Sequence, residues 1–225
     1  MTSQLVELCS TLGKYDTPAL CNALERLNLR PRNVGFTDSS ITNVSQTGRI
    51  VGVAVTARLE SREKGDNGVP MSTLYAAVAN VEGPAIVVVQ DDDQPPGCGA
   101  LLGEVVGTLL KTIGCVGFVT NGCIRDIDEV KALGISAYAL GLCVSHAYVR
   151  LTAVGIPVDI GGLKIEPGDL LHGDKHGLLS IPREAAPELP RLADAVRTEE
   201  LATITWAHSP EFSVPALLAR RPPQH

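Results

Sequence analysis

Three charged side chains in this sequence could do chemistry together: Glu104, Arg125 and Asp126. Arginine carries a permanent planar charge that can bind a carboxylate through two parallel hydrogen bonds. Aspartate and glutamate supply hard oxygen ligands, and Mg²⁺ usually takes one or two carboxylates and keeps several waters. A site that held all three side chains could bind a carboxylate-bearing substrate beside a divalent cation, provided that the fold brings Glu104 to Arg125 and Asp126.

The elements around these residues predict that they meet. The pattern is a strand over 86–89, a helix over 105–113, a strand over 116–120 and a helix over 127–133. Such a βαβα unit implies parallel strands joined by right-handed crossovers. Because the loops after neighbouring parallel strands face one crevice, Gly103-Glu104 and Arg125-Asp126 are predicted to share a cleft.

A glycine-rich stretch, with glycines at 97, 99 and 103, precedes the first of these helices. The unpaired N–H groups and partial positive charge of a helix start would make this loop a seat for an anion such as a carboxylate or phosphate. The alternative is a flexible turn. The spacing is not G-x-G-x-x-G and no Walker-type lysine follows, so a dinucleotide site is not favoured.

The rest of the chain supplies a single set of alternating elements. We predict a helix over 4–12, a second helix that begins at Asp16-Thr17-Pro18, and a strand over 49–59. We also predict a helix that Ser72 caps and that runs through Asn80, a strand over 136–140 and a hairpin that turns at Gly161-Gly162. The last predicted elements are a strand over 178–181 and an amphipathic helix over 187–201. No linker interrupts this order, so we expect one domain over residues 1–225.

Composition excludes several classes of function. The net charge of −6 and the 4% of aromatic residues disfavour nucleic-acid binding, which needs a basic face or stacking platforms. We find neither an apolar run long enough to span a membrane nor a signal-peptide pattern. The six cysteines form no C-x-x-C pair, which favours reduced core thiols, and we expect a cytoplasmic protein without membrane contact.

Several motifs together resemble a known family. They are Asp16-Thr17, Gly65-Asp66-Asn67, Gly103-Glu104, Asn121-Gly122 followed by Arg125-Asp126 and Glu129, Pro167-Gly168-Asp169-Leu170, and the segment from Gly177 to Pro182. The combination resembles the RraA-like superfamily, and within it the class II 4-hydroxy-4-methyl-2-oxoglutarate/4-carboxy-4-hydroxy-2-oxoadipate aldolases. The resemblance implies an α/β fold of the swivelling β/β/α type, like the phosphohistidine domain, and assembly as a homotrimer or homohexamer with active sites at subunit interfaces.

The resemblance also implies a reaction and roles for matching residues. The reaction would be metal-dependent retro-aldol cleavage of a 4-hydroxy-2-oxo acid to pyruvate, with oxaloacetate decarboxylation through the same enolate. Asp126 would hold Mg²⁺ or Mn²⁺, Glu104 would assist through water, and Arg125 would contact the oxo acid and its enolate oxygen. Backbone amides around Leu101, Leu102, Gly103 and Glu104 would seat the substrate carboxylate. No lysine lies in the motif, which disfavours Schiff-base chemistry.

A non-catalytic regulator that binds a protein partner is the alternative within the same superfamily. That branch, which resembles the RNase E regulator, tends to lose the aspartate after the arginine, whereas this chain keeps Asp126. The retained residue favours an enzyme.

Further candidates have less support from their pattern. Asn67, Asn121, His146 and His176 could reach the cleft, and the two histidines depart from the commoner aldolase pattern. His172-x-Asp174-x-His176 could hold a second metal, although structural polar residues are the stronger interpretation. Asp91-Asp92-Asp93 is expected to be a solvated loop after a strand end, with a minor role as a metal ligand or rim.

Overall fold

The computed structural model describes residues 4–220 of the chain. The helices are α1 (Gln4–Leu12), α2 (Thr17–Leu27), α3 (Met71–Ala79), α4 (Glu104–Thr112), α5 (Ile127–Ala132), α6 (Leu189–Ala207) and α7 (Val214–Ala219). The strands are β1 (Thr42–Asn43), β2 (Ile50–Glu60), β3 (Ala85–Asp91), β4 (Cys115–Thr120), β5 (Cys123–Ile124), β6 (Ser136–Ala139), β7 (Gly141–Leu142), β8 (Arg150–Val154), β9 (Val158–Ile160), β10 (Leu163–Ile165), β11 (Leu170–Asp174) and β12 (Gly177–Ile181). The class is α/β, as predicted.

The predicted βαβα unit forms the centre of the main sheet. β2, β3, β4 and β6 lie side by side, and each neighbouring pair is parallel. β3 is covered on both faces, because Ala85 through Val89 are fully buried. Such two-sided burial explains why this strand is a continuous apolar run in the sequence. α4 and α5 contribute Leu110 and Val130 to the core on one side of the sheet.

Antiparallel strands complete the sheet. β2 pairs with β11 over its first half and with β8 over its second half, and β12 pairs with β11. β1 lies at the other edge against β6. The predicted two-residue hairpin between β9 and β10 is confirmed: Gly161 and Gly162 both have positive φ, at 56° and 75°, which a turn of this kind requires.

α2 illustrates how the sequence sets a helix boundary. Asp16 has extended backbone angles, and its Oδ1 accepts a hydrogen bond from the Ala19 N–H at 2.8 Å, as predicted for the cap. Asn28 ends the helix in the left-handed conformation with φ of 49°. The buried side of α2 packs with α6 in a second core cluster that includes Leu20 and Leu189.

Several predicted boundaries were wrong. α3 begins at Met71 after Pro70, so Ser72 lies inside the helix and does not cap it. α6 runs to Ala207, and α7 was not predicted. Trp206, in the last turn of α6, meets Phe212 edge-on, and the Arg220 guanidinium stacks on Trp206. β11 was not predicted as a strand. Over residues 4–220, no helix has the length and apolar character needed to cross a membrane.

Candidate active site

The two predicted halves of the site lie together. The loop after β3 runs beside the segment after β4: the Arg125 N–H donates to the Leu102 carbonyl at 3.1 Å, and Ala100 forms a parallel bridge with Cys123. The backbone hydrogen bond therefore places Arg125 and Asp126 directly against Gly103 and Glu104. This convergence was predicted from the parallel order of β3 and β4.

Asp126 occupies an unusual position at the start of α5. Its φ of 53° and ψ of 48° are left-handed, and its side chain does not cap its own helix. Instead, Oδ2 accepts the backbone N–H of Glu104 at 3.0 Å, so Asp126 caps α4, the neighbouring helix. Arg125 Nε lies 3.6 Å from the same oxygen. The carboxylate is thus fixed by a helix N-terminus and by a guanidinium.

Gly103 makes this arrangement sterically feasible. An ideal Cβ at this position would lie 2.6 Å from Asp126 Oδ2 and 3.1 Å from Arg125 Nε. The backbone of Gly103 is extended, with φ of −150°, so the requirement for glycine comes from space and not from backbone angles. The absence of a side chain lets the carboxylate approach the first turn of α4.

A pocket of about 240 Å³ is lined by Gly103 and Arg125, two residues that lie against Asp126, whereas Asp126 itself is not among its lining residues. Among its lining residues, the polar side chains are Arg125 and His146. The remaining wall is Ala100, Leu101, Gly103, Val105, Val106 and Val149. A ligand here would meet one permanent cation, one imidazole and apolar surface.

Not every predicted contact residue faces the pocket. Leu101 and Gly103 line the pocket, whereas Leu102 is fully buried in the core and does not. The amide of Glu104, expected to belong to the anion seat, is occupied by Asp126. The first-turn amides of Val105 and Val106, which have no partner within an α-helix, remain to face an anion. The Glu104 side chain is exposed at the start of α4.

The donor set can be tested against a divalent cation. Within residues 4–220, no group of three or more His, Cys, Asp or Glu side chains converges as a metal site. The described residues therefore do not suit a closed zinc site, which takes four protein ligands. The carboxylates of Asp126 and Glu104 fit Mg²⁺ or Mn²⁺, which one or two carboxylates can hold while water and substrate supply the remaining ligands. In the described part of the chain, the protein contacts of the Asp126 carboxylate fall on Oδ2, which leaves Oδ1 to a cation.

The two candidate asparagines have structural partners. Asn121 joins the ends of β3 and β4, since its Oδ1 accepts the Asp91 N–H at 2.7 Å and its Nδ2 donates to the Asp91 carbonyl at 3.0 Å. Asn67 accepts from Arg150 Nε at 3.3 Å. Neither side chain lines the pocket.

The two candidate histidines differ in their position relative to the pocket. His146 lines the pocket with Arg125. His176 lies away from the pocket lining and hydrogen-bonds Asp174 Oδ1 through Nδ1 at 3.0 Å. The placement of His146 beside Arg125 makes it the stronger candidate.

The His172-x-Asp174-x-His176 motif is a structural network between β11 and the start of α2. His172 is fully buried; its Nδ1 lies 3.0 Å from Thr17 Oγ1 and its Nε2 lies 3.1 Å from the Tyr15 carbonyl. Burial lowers the pKa of His172 to about 4, although Asp174 opposes that shift. Burial raises the pKa of Asp174, but hydrogen bonds from Thr17 and His176 outweigh it and hold that pKa below its usual value.

The expectation of a solvated loop at Asp91-Asp92-Asp93 was wrong. Asp91 and Asp93 are buried, and each carboxylate accepts backbone hydrogen bonds. Asp91 receives the N–H groups of Asp93 at 3.0 Å and of Gly97 at 2.7 Å, which shapes the start of the glycine-rich loop. Burial raises the pKa of Asp91 despite these hydrogen bonds.

All six cysteines are free thiols, as predicted, but only Cys9 and Cys115 are fully in the core. Cys98, Cys123 and Cys143 are partly exposed around the glycine-rich loop. Burial raises the pKa of Cys123 and of Cys143, which favours the protonated, unreactive form.

The apolar wall of the pocket was missed by the sequence interpretation. Val105 and Val106 directly follow Gly103-Glu104 in the first turn of α4, so the phase of that helix could have indicated them. Val149 lies in a loop whose conformation no local pattern predicts.

The chain is similar to known proteins in sequence and in fold. The family model described as RraA-like (Aldolase/RraA) matches residues 17–179. A Halalkalibacterium halodurans protein provisionally named 4-hydroxy-4-methyl-2-oxoglutarate aldolase is 33% identical over 148 residues, which is 64% of this chain. The alignment spans only 65% of that relative's own length.

Solved structures are similar over most of the chain. An uncharacterised protein from Pseudomonas syringae pv. tomato has a TM-score of 0.73 at 23% identity, with 95% of this chain and 94% of that chain covered. Streptomyces coelicolor RraAS2, described as an unusual member of the RNase ES inhibitor RraA protein family, has a TM-score of 0.71 at 25% identity, with 88% and 96% covered. The first of these supports the fold alone.

Proposed function

The chain belongs to the RraA-like family, and from this premise we propose that it is a divalent-metal-dependent lyase. Its reaction would be retro-aldol cleavage of 4-hydroxy-4-methyl-2-oxoglutarate, or of a similar 4-hydroxy-2-oxo acid, to pyruvate. Oxaloacetate decarboxylation would use the same site. The observation that carries the proposal is Arg125 in the wall of a small pocket, with the Asp126 carboxylate fixed next to it.

Arg125 would bind and orient the oxo acid. Its contact with Asp126 uses Nε, and its terminal nitrogens have no hydrogen bond to any of residues 4–220. Those nitrogens can hold a carboxylate as a planar fork and keep positive charge where the enolate oxygen develops. The N-terminal amides of α4 add partial positive charge on the same side of the pocket.

Asp126 would hold Mg²⁺ or Mn²⁺, with Glu104 assisting through water. A bound divalent ion supplies Lewis acidity that polarises a keto oxygen and so makes the 2-oxo acid a better electron sink. The contacts from the Glu104 amide and Arg125 orient the Asp126 carboxylate before any ligand arrives. Val105, Val106 and Val149 form the apolar side of the pocket.

The test is pyruvate release, followed by coupled oxidation of NADH, from 4-hydroxy-4-methyl-2-oxoglutarate and from oxaloacetate. We expect turnover with Mg²⁺ that is lost with EDTA and in Asp126→Ala. Asp128→Ala is the matched control, since Asp128 is an exposed carboxylate two residues away on α5. Turnover that persists in Asp126→Ala would refute the role of Asp126. No turnover and no metal binding in the wild-type protein would refute the enzyme.

A regulator that binds a protein partner is the second candidate function, and similarity to RraAS2 favours it. Retention of Asp126 beside the pocket residue Arg125 favours the lyase. The assay separates the two, because a non-catalytic regulator would not release pyruvate.

We also propose that the chain forms a homotrimer or homohexamer. Two large apolar side chains are exposed in the single chain: Val105 in the pocket wall is 72% exposed, and Val144, two residues before His146, is 97% exposed. Light scattering after size exclusion would measure the mass, and a monomer would refute this part. The proposal places the protein, as one domain over residues 1–225, in the cytoplasm without nucleic-acid or membrane partners, in keeping with its free thiols and its charge.

A further inference from the structure

Retro-aldol cleavage needs a base, and the residues assigned above do not supply one inside the pocket, since Glu104 is not among its lining residues. Arg125 is permanently protonated, and the Asp126 carboxylate is committed to the α4 amide and the proposed cation. His146 is the other polar side chain among the lining residues of the pocket. Imidazole can both accept and return a proton near neutral pH, so its presence here is chemically meaningful.

One hydrogen bond determines which nitrogen of His146 is available. Nδ1 lies 2.8 Å from the carbonyl oxygen of Ala147. Because a carbonyl only accepts, Nδ1 must carry the hydrogen of the neutral ring. Nε2 then carries the lone pair, and no hydrogen bond from residues 4–220 occupies it.

The loop that carries His146 is held firmly against the glycine-rich loop. The Ser145 carbonyl accepts the Ala100 N–H at 3.0 Å, and the Ser145 hydroxyl oxygen accepts the Ala147 N–H at 2.9 Å. The His146 carbonyl lies so close to Gly99 that an ideal Cβ there would be 2.5 Å away. Ala147 takes a left-handed φ of 47°. These contacts hold the backbone at His146 against the glycine-rich loop, while the exposed imidazole is oriented by its Nδ1 contact with Ala147.

We propose that His146 Nε2 is the catalytic base that deprotonates the 4-hydroxyl of the substrate; the inference rests on the proposed lyase function. The O–H bond breaks and the proton goes to Nε2, while the oxygen electron pair forms the new carbonyl at C4. The C3–C4 bond breaks, and its electron pair forms the C2–C3 double bond of pyruvate enolate beside Arg125. The protonated His146 then returns the proton to C3, which gives pyruvate and restores the base.

Oxaloacetate provides a substrate that does not need this base. Its decarboxylation breaks a C–C bond to release CO₂, and no hydroxyl proton has to be removed. The enolate that results can take its proton from water. Loss of His146 should therefore separate the two reactions, whereas loss of Arg125 or Asp126 should impair both.

The experiment uses His146→Asn, in which the amide nitrogen can keep the hydrogen bond to Ala147 but the Nε2 base is lost. His208→Asn is the control, since His208 is an exposed histidine at the end of α6. We expect kcat for cleavage of 4-hydroxy-4-methyl-2-oxoglutarate to fall about 10²–10⁴-fold. We expect oxaloacetate decarboxylation, and pyruvate affinity by calorimetry, to stay near the wild-type values.

The outcomes distinguish this inference from the proposed function. If the wild type cleaves both substrates and His146→Asn does so equally well, His146 is not the base although the lyase stands. Equal loss of both reactions together with pyruvate binding would assign His146 to binding and overturn its role as a base. A wild type without activity on either substrate would overturn the lyase, and the role of His146 with it.

Discussion

Substitution of Gly103 by alanine tests the site, because the added methyl group would clash with Asp126, the proposed metal ligand. In Gly103→Ala the new Cβ would lie 2.6 Å from Asp126 Oδ2, so the carboxylate must retreat by about 0.8 Å to reach an ordinary contact of 3.4 Å. That retreat breaks or weakens the 3.0 Å hydrogen bond from the Glu104 amide. It also disturbs Arg125, whose Nε would lie 3.1 Å from the new methyl group.

The expected magnitude follows from this displacement. Misplacement of a catalytic group by about 1 Å costs about 10²-fold in rate, or about 2.7 kcal/mol in transition-state stabilisation. Folding should change much less. The extended backbone of Gly103 accepts alanine, and the loss of unfolded-state entropy stabilises by about 0.4–1 kcal/mol, which offsets the weakened surface contact.

The assay compares kcat/KM for pyruvate release from both substrates with the free energy of unfolding in urea. Gly48→Ala is the control, because its ideal Cβ has no atom within 4 Å. We expect Gly103→Ala to lose activity while it remains as stable as Gly48→Ala to within about 1 kcal/mol. Full activity in a stably folded Gly103→Ala protein would refute the reasoning that the Asp126 position is critical. Loss of stability in step with activity would assign the contact to folding.

Two further predictions concern residues that support the fold around the site. Burial lowers the pKa of His172 in the folded protein to about 4, from an ordinary value of 6.5. Below pH 6.5 the unfolded chain therefore binds a proton that the folded chain does not, and stability is lost as the pH falls from 6.5 towards 4. Urea unfolding across that range should show that the free energy of unfolding falls by about 3 kcal/mol, and His172→Gln should remove this fall. An equal fall in both proteins would contradict the role of His172. Asn121→Ala should destabilise by about 1–3 kcal/mol, because it leaves the buried Asp91 N–H and carbonyl unpaired at the end of β3. Asn67→Ala is the matched control, because Asn67 is exposed and accepts a hydrogen bond from Arg150. Equal stability of the two variants would show that the Asn121 bridge contributes little.

The central strands and the meeting of the two motifs could be predicted because their signals are local. β3 is a β-branched run buried on both sides, Asp16 caps α2, and parallel order alone brings Gly103 towards Arg125. These features depend on residue type and chain direction, which the sequence states directly.

Other features depend on distant contacts and could not be predicted. β11 contains histidine, glycine and aspartate, which disfavour strands, and it forms because β2 and β12 supply hydrogen-bond partners on both sides. Asp91 and Asp93 look solvated until the loop amides that bind them are placed. In the site, the predicted asparagine at 121 is a bridge between strands, and the cap that Asp126 gives to α4 depends on an approach that only Gly103 allows.

The left-handed backbone of Asp126 has a consequence for how this protein could change over generations. Asparagine enters that conformation about as readily as aspartate, and its amide oxygen could still accept the Glu104 N–H. A single Asp126→Asn exchange would therefore remove the negative charge that chemistry needs while it keeps the helix cap, the loop and the outer surface. One substitution at this residue could therefore remove catalytic activity without loss of the fold. The folded protein that remains could then evolve a different function.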